Sequence, residues 1–356
     1  MTMDKKTIAL LGLSVLILLG MLYFVGIEQV IAALKMADLN LIALAIGVQI
    51  ATYFLYTIRW QVLNKVAGID EGITKLLPMV LVGLAVNNIT PSGRGGGEPV
   101  RAYLLSRDKD EYTFDETFAA VVADRALDTF PFVLLAAITI TSMALFFDFE
   151  LWLLAVMVLA VIAILALLFA IIYMCINPGF GNRVEGWIIG LVRRFYKKDS
   201  ESLENTIHDS IAGFQHTMRV LMSNRKGLVY ALILSFLIWI FEILRVYFVF
   251  LAFGADVNLI IIGEVFIVAC LVGMIPLLPG GLGAVDGLMI LLYSAAGVPA
   301  SVSAAATVIE RLISFWMATM LGMAVLPYFG SSVLDKISFS DSPEEIGEVK
   351  EIESND

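Results

Sequence analysis

Hydrophobic residues come in helix-length blocks along this chain: Thr7–Val25, Leu39–Leu63, Thr117–Phe147, Leu151–Ile176, Leu228–Phe253 and Ala300–Tyr328. About 20 apolar residues carry a helix across the hydrocarbon core of a bilayer, so each block predicts one span. The alternating segments of about 10 residues that mark a transmembrane β-barrel are missing. The pattern predicts an all-α, polytopic helical membrane protein with about six full spans. Thr7–Val25 follows Lys5 and Lys6, as a signal peptide would. It is longer than a usual signal h-region and has no good small-x-small cleavage site, so it reads as a retained first helix.

Two further apolar runs are broken by Gly and Pro: "NNITPSGRGGGEPVRAYLL", Asn87–Leu105, and "GMIPLLPGGLGAVDGLMILL", Gly273–Leu292. Pro91, Gly93, Gly95 and Glu98 of the first match Pro279, Gly281, Gly283 and Asp286 of the second at identical offsets. Upstream, Arg59 precedes Gly68 by nine residues and Asp70 by eleven, as Arg245 precedes Gly254 and Asp256. Downstream, "ADRALD" holds Asp124–Arg125 and "IERLIS" holds Glu310–Arg311. Three landmarks in one order predict an internal repeat.

Basic residues orient the spans, because cytoplasmic loops are enriched in Lys and Arg. Asn177–Lys226 holds eight of them, so it is placed in the cytoplasm together with both termini. Leu39–Leu63 then runs inward and its counterpart Leu228–Phe253 runs outward. Such inverted repeats recur in secondary transporters, whose sites lie at the repeat interface among broken helices. Parity requires each Gly-rich element to return to its own side. Lys75–Ile89 with Glu98–Leu105, and Leu259–Pro276 with Gly287–Ala296, are therefore predicted as two opposed re-entrant hairpins.

The predicted organisation is an N-terminal helix and link (1–38), repeat A (39–147) with its hairpin near 75–105, and a connecting span (148–176). A cytoplasmic amphipathic segment (177–226), repeat B (227–328) with its hairpin near 259–296, and a disordered acidic tail (329–356) follow. Within the cytoplasmic segment, apolar residues recur at helical spacing over Leu203–Leu221. They predict a helix on the membrane surface or against the bundle.

Composition supports this picture: 60% of the 356 residues are hydrophobic, against about 45–50% in a soluble domain. The formal net charge of −10 owes much to the tail Asp341–Asp356 and says little about the embedded part. No basic cluster with interleaved aromatics suggests nucleic acid. Cys175 and Cys270 offer neither a disulfide framework nor metal spacing, and His208 and His216 read as solvated helix residues. No P-loop is present, so any driving force is expected from an ion gradient, substrate asymmetry or a partner, and no cofactor is predicted. The five Trp residues read as interface and packing residues.

Backbone that is not helical cannot face lipid, so the Gly-rich breaks must be packed in protein or line a wet cavity. Gly-rich turns and helix N-termini suit phosphate; Asn88, Gly93, Gly95, Gly281 and Gly283 are candidates. Guanidinium groups bind phosphate as a fork; Arg59, Arg94, Arg101, Arg125, Arg245 and Arg311 are candidates. Glu98, Asp124, Asp128, Asp286 and Glu310 are candidate proton or cation carriers, or ion-pair partners of those Arg residues. Plainer readings stand beside these. Asp124–Arg125 and Glu310–Arg311 would serve as interface anchors, and Glu242 with Arg245 would only neutralise one another along a helix. Repeat B has Leu282 and Met289 where repeat A has Arg94 and Arg101, so the first hairpin is the more basic.

Together these motifs, with Arg59–Trp60, resemble the lysylphosphatidylglycerol synthase transmembrane-region family, a flippase-like membrane domain. The resemblance covers about Lys6 to Tyr328. It implies a translocase of an anionic lipid, either a phospholipid or a polyprenyl-phosphate-linked glycan, in the plasma membrane. In the bacterial aminoacyl-lipid synthases the domain is fused to a cytosolic aminoacyl-transferase, whereas other members stand alone; only about 28 residues follow Tyr328 here, so the expectation is a stand-alone member that does not transfer lysine and is a transporter rather than an enzyme. A cytosolic glycosyltransferase or lipid synthase is the partner class implied. An intramembrane lipid-modifying enzyme and a scaffold for a glycosyltransferase are the competing readings.

Overall fold

The structure is a computed structural model and describes residues 35–90, 95–109, 111–146, 151–195, 200–274, 281 and 283–329. The first predicted span, the acidic tail, Gly93 and Arg94 lie outside the described residues. Within them the chain is helical throughout. Five helices are long and apolar enough to cross a membrane: Leu39–Val66 (α1), Phe114–Leu145 within α4, Leu154–Ile176 within α5, Arg225–Ala252 (α8) and Ala300–Phe329. The chain is an all-α polytopic membrane protein.

Between α1 and α4 (Phe114–Phe146) stand two short helices, α2 (Ile73–Ile89) and α3 (Gly97–Ser106). Between α8 and α11 (Ala300–Arg311) stand α9 (Leu259–Gly273) and α10 (Ala284–Ala295). At about 1.5 Å per residue, none of these four reaches the roughly 30 Å of a hydrocarbon core. They occupy the positions of the predicted hairpin arms. After α11 the helix widens into a π-turn, Leu312–Trp316, and continues as α12 (Met317–Val325).

The turns after α1 and α8 are built alike. Gly68 and Gly254 both have positive φ, 91° and 72°, which a side chain disfavours. The Ile69 N–H donates to Asn64 O, as the Ala255 N–H donates to Phe250 O. These are the two Gly-x-Asp landmarks read in the sequence.

The halves interlock. α1 packs along α8, and Ile42 and Ala45 sit in one apolar cluster with Val246 and Val249. Phe132, Ala136 and Met143 of α4 meet Ile267, Val268 and Leu271 of α9. Reciprocally, Met323 of α12 packs with Met79, Val82 and Val86 of α2. The α12–α2 approach needs a residue without a side chain: a Cβ on Gly322 would lie 2.2 Å from Leu81 O. Small residues at such crossings let backbones come close.

The central polar segment departs from expectation. It forms two helices, α6 (Pro178–Phe195) and α7 (Ser200–Ser223), after α5 (Leu151–Ile176). The first was not among the predicted elements; it opens on Pro178, with Gly179 and Gly181 in its first turn. α7 lies against the bundle: Met218 and Leu221 are buried with Ala119 and Ala123 of α4. Gln215 and Arg219 donate to the carbonyls of Met174 and Cys175 at the end of α5. His208 pairs with Glu185 at 2.9 Å, so it is tied to α6 rather than simply solvated.

Candidate functional site

Eleven charged side chains converge between the two halves, in two clusters built on one plan. In the first, Arg59 of α1 is fully buried. Its Nε donates to Asp124 at 2.7 Å, and its Nη1 donates to Asp128 at 2.6 Å and to the Ser235 hydroxyl at 3.0 Å. In the second, Arg245 of α8 is 1% exposed and its Nη2 donates to Glu310 at 2.7 Å. Its Nη1 donates to Glu242 and to Gln49. Each arginine is 65 residues from its acid partner. Each also crosses to the other half, Arg59 to Ser235 on α8 and Arg245 to Gln49 on α1.

A second pair of ion pairs repeats the plan. Arg125 of α4 meets Glu98 at 2.6 Å, and Arg311 of α11 meets Asp286 at 2.7 Å. Thus the acids of the two Gly-rich motifs pair with the arginines of the two acid–Arg motifs. Asp124 and Glu310 are 0% and 2% exposed, so the interface-anchor reading does not fit them. Glu242 and Arg245 do pair, but Arg245 also holds Glu310 and Gln49, so mutual neutralisation is only part of their role.

The copies differ where the sequence differs. Arg101 of α3 lies 3.3 Å from Asp124 and 4.3 Å over the Trp60 ring. The matching position holds Met289, which is buried in the apolar cluster around α8. Arg311 sits 4.7 Å over Phe315 instead.

A cavity of about 360 Å³ lies between the halves. Arg125, Arg245 and Arg311 line it together with Asp128, Glu242 and Glu310. Tyr53, Tyr56, Trp239 and Phe266 supply aromatic wall, and Asn87 and Asn88 close one side. Arg59, Arg101, Glu98, Asp124 and Asp286 stand behind this lining. Asn88 is held by α11's continuation: its amide donates to Phe315 O and the Thr319 hydroxyl. Phe315 belongs to the π-turn, and π-turns are frequent at functional sites.

Two N–H groups at the Gly-rich turns have partners within the protein. The Gly283 N–H donates to the Asp286 carboxylate at 2.9 Å, and the Gly97 N–H donates to Asn87 Oδ1 at 2.7 Å. These turn amides are therefore satisfied by the protein's own groups. Gly281 and Gly283 have φ of 68° and 79° and shape the entry to α10; neither they nor the exposed Gly95 lines the cavity. Gln49, Tyr56, Ser235 and Glu242 were not singled out as site residues from sequence. Their spacing carries the signal: 49 and 235, and 56 and 242, stand 186 residues apart, as Arg59 and Arg245 do, and Tyr56 donates to Glu242 at 3.5 Å.

Residues 8–322 match the family model described as Lysylphosphatidylglycerol synthase TM region. The chain belongs to the lysylphosphatidylglycerol synthase transmembrane-region family. Relatives include a UPF0104 membrane protein of Methanothermobacter thermautotrophicus, 48% identical over 94% of this chain and 99% of its own length. A UPF0104 membrane protein of Methanocaldococcus jannaschii is 32% identical over 89% of this chain and 93% of its own. The glycosyltransferase AglD of Haloferax volcanii is 23% identical over 97% of this chain but 57% of its own length.

Proposed function

We propose that the chain is a flippase-like translocase that passes the headgroup of an anionic lipid through the central cavity. The observation that carries this reading is the cavity lining. Arg125 and Arg311 occupy equivalent positions in the two halves, and both reach the same cavity from opposite copies of the repeat. Its volume of about 360 Å³ is at the small end of ligand pockets, about 300–1,000 Å³. That suits a phosphorylated headgroup whose acyl chains stay in the bilayer.

In this account the two copies form an inverted repeat, and α2–α3 and α9–α10 are opposed re-entrant hairpins. Both termini and the α6–α7 segment face the cytoplasm of a plasma membrane. The matched contacts of Arg59 and Arg245 support the symmetry, and inverted repeats around a midplane site are a recurrent build for alternating access. An arriving phosphate exchanges with a carboxylate for a guanidinium, either Glu98 on Arg125 or Asp286 on Arg311. The guanidinium fork fits a phosphate as it fits the carboxylate it gives up. The likeness along nearly the whole chain to a protein named a glycosyltransferase favours a sugar-bearing lipid, and so the glycan of the two candidate substrates, over a phospholipid.

Mass spectrometry of lipids that remain with the purified protein tests this reading. An anionic lipid is expected to copurify in stoichiometric amount. It should be depleted at least severalfold by Arg125→Gln with Arg311→Gln in protein that elutes as a single species. Retention of only bulk lipid in bulk proportions by the unaltered protein would overturn it.

A further inference from the structure

The ion pairs of the two halves do not balance equally. Among the described residues, Arg59, Arg101 and Arg125 stand against Glu98, Asp124 and Asp128, three against three. In the second half Arg245 and Arg311 stand against Glu242, Asp286 and Glu310, two against three. The surplus carboxylate follows from Met289 standing where the first half has Arg101. An uncompensated charge inside a membrane protein is costly and marks a functional group.

Geometry selects which of the three carries it. Glu310 is 2% exposed in its side chain and holds its own guanidinium nitrogen on Arg245. Asp286 has Arg311 and the Gly283 N–H. Glu242 shares Arg245 with Glu310 and Gln49, and its other contact is the long one from the Tyr56 hydroxyl, 3.5 Å. Its side chain is 14% exposed and lines the cavity. Of the two acids of this set that line the cavity it is the more exposed, and it shares its guanidinium nitrogen with Gln49, whereas Glu310 holds one alone. The charged and titratable groups around that cavity are Tyr53 and Tyr56 on α1, with Arg59 behind Tyr56, and Arg125 and Asp128 on α4. Arg245 on its own helix, Cys270 on α9, and Glu310 and Arg311 on α11 complete them.

We infer that Glu242 is a proton-exchange site of the cavity. A proton from cavity water bonds to a Glu242 carboxylate oxygen, the ion pair to Arg245 Nη1 is given up, and that nitrogen becomes available to an anion. On the translocase reading, from which this part follows, one proton enters with each singly charged headgroup, so the cluster keeps its charge through the cycle. No oxidation or reduction is involved. A half with one carboxylate more than its arginines, and with Glu242 on the cavity wall, thus makes a proton-coupled anion site.

The experiment uses the purified full chain in phosphatidylcholine vesicles. Infrared difference spectra on acidification should contain a protonated-carboxyl carbonyl band that E242Q lacks and E264Q keeps. Glu264 is a buried acid with an unpartnered oxygen, which makes it the proper control. Y56F, which removes the other hydrogen bond, should move the midpoint of that band without deleting it, and covers the case in which E242Q does not fold. Adding dimethyl phosphate, a phosphodiester with a single negative charge, should cause uptake of one proton per bound anion in the unaltered protein and none in E242Q. A band that survives in E242Q, or one untouched by Y56F where E242Q is unfolded, overturns the assignment; so does proton uptake replaced by sodium dependence at fixed pH. Loss of the band in E242Q without any dimethyl phosphate binding upholds the proton site and counts against the translocase reading instead.

Discussion

Arg59→Met tests whether the buried charge cluster is a structural unit. The substitution keeps most of the side-chain stem and removes the guanidinium. Asp124 loses a 2.7 Å partner, Asp128 loses a 2.6 Å partner and Ser235 loses a donor. Removing one member of a buried ion pair typically costs about 3–5 kcal/mol, because the remaining charge stays buried. Here Asp124 keeps Arg101 at 3.3 Å and Asp128 keeps Arg125 at 3.9 Å. The expected loss is therefore at the low end, about 3 kcal/mol. Equilibrium unfolding in mixed detergent micelles, followed by tryptophan fluorescence, reads it directly, since Trp60 beside Arg59 is fully buried. Asp124→Leu alone and the double variant complete a cycle, and the coupling between the two sites should be roughly 1–3 kcal/mol. A loss within about 1 kcal/mol, the scale of exposed ion pairs, or simple additivity would refute the buried cluster.

Gly97→Ala should cost about 1–3 kcal/mol by overpacking, because its Cβ would lie 2.0 Å from Gly83 O and must force α2 and α3 apart. Gly186→Ala in α6 meets nothing within 4 Å and should be neutral or stabilising by about 0.5–1 kcal/mol; equal effects of the two would contradict the close approach. At the turn after α1, burial pushes the Glu71 carboxyl up, but hydrogen bonds from Lys109 and Lys75 outweigh it and hold the group below its ordinary value. Its contribution is then full above the unfolded value of about 4.3 and is lost as pH falls through the lowered folded value. Glu71→Gln should be less stable than the unaltered protein at neutral pH and equal to it at strongly acid pH; a constant difference across pH would count against this ion pair.

The long spans were legible because helix-length apolar runs have few alternatives, and Leu39–Leu63 and Leu228–Phe253 differ from α1 and α8 by only a few residues at their ends. The pairing of Glu98 with Arg125 and Asp286 with Arg311 was half legible. The motifs located all four residues, but which acid meets which arginine depends on how α3 and α10 pack against α4 and α11. Gln49, Ser235 and Tyr56 escaped notice because single polar residues in an apolar helix look like ordinary variation until the opposite helix is known. The π-turn was invisible for a related reason: "LISFW" has no composition that distinguishes it from α-helix, and its widening is held by Asn88 from another element. α6 was missed, although Pro at the first helical position, here Pro178, is favourable.

The most direct test of the central claim is lipid movement itself. Vesicles containing the purified chain and a headgroup-labelled anionic lipid are exposed to a membrane-impermeant quencher, and the inner-leaflet signal is followed. The account predicts loss of inner-leaflet fluorescence far faster than in empty vesicles, slowed at least tenfold by Arg125→Gln with Arg311→Gln. A rate in the presence of the unaltered protein equal to that of empty vesicles, or one that the double substitution leaves unchanged, would contradict it.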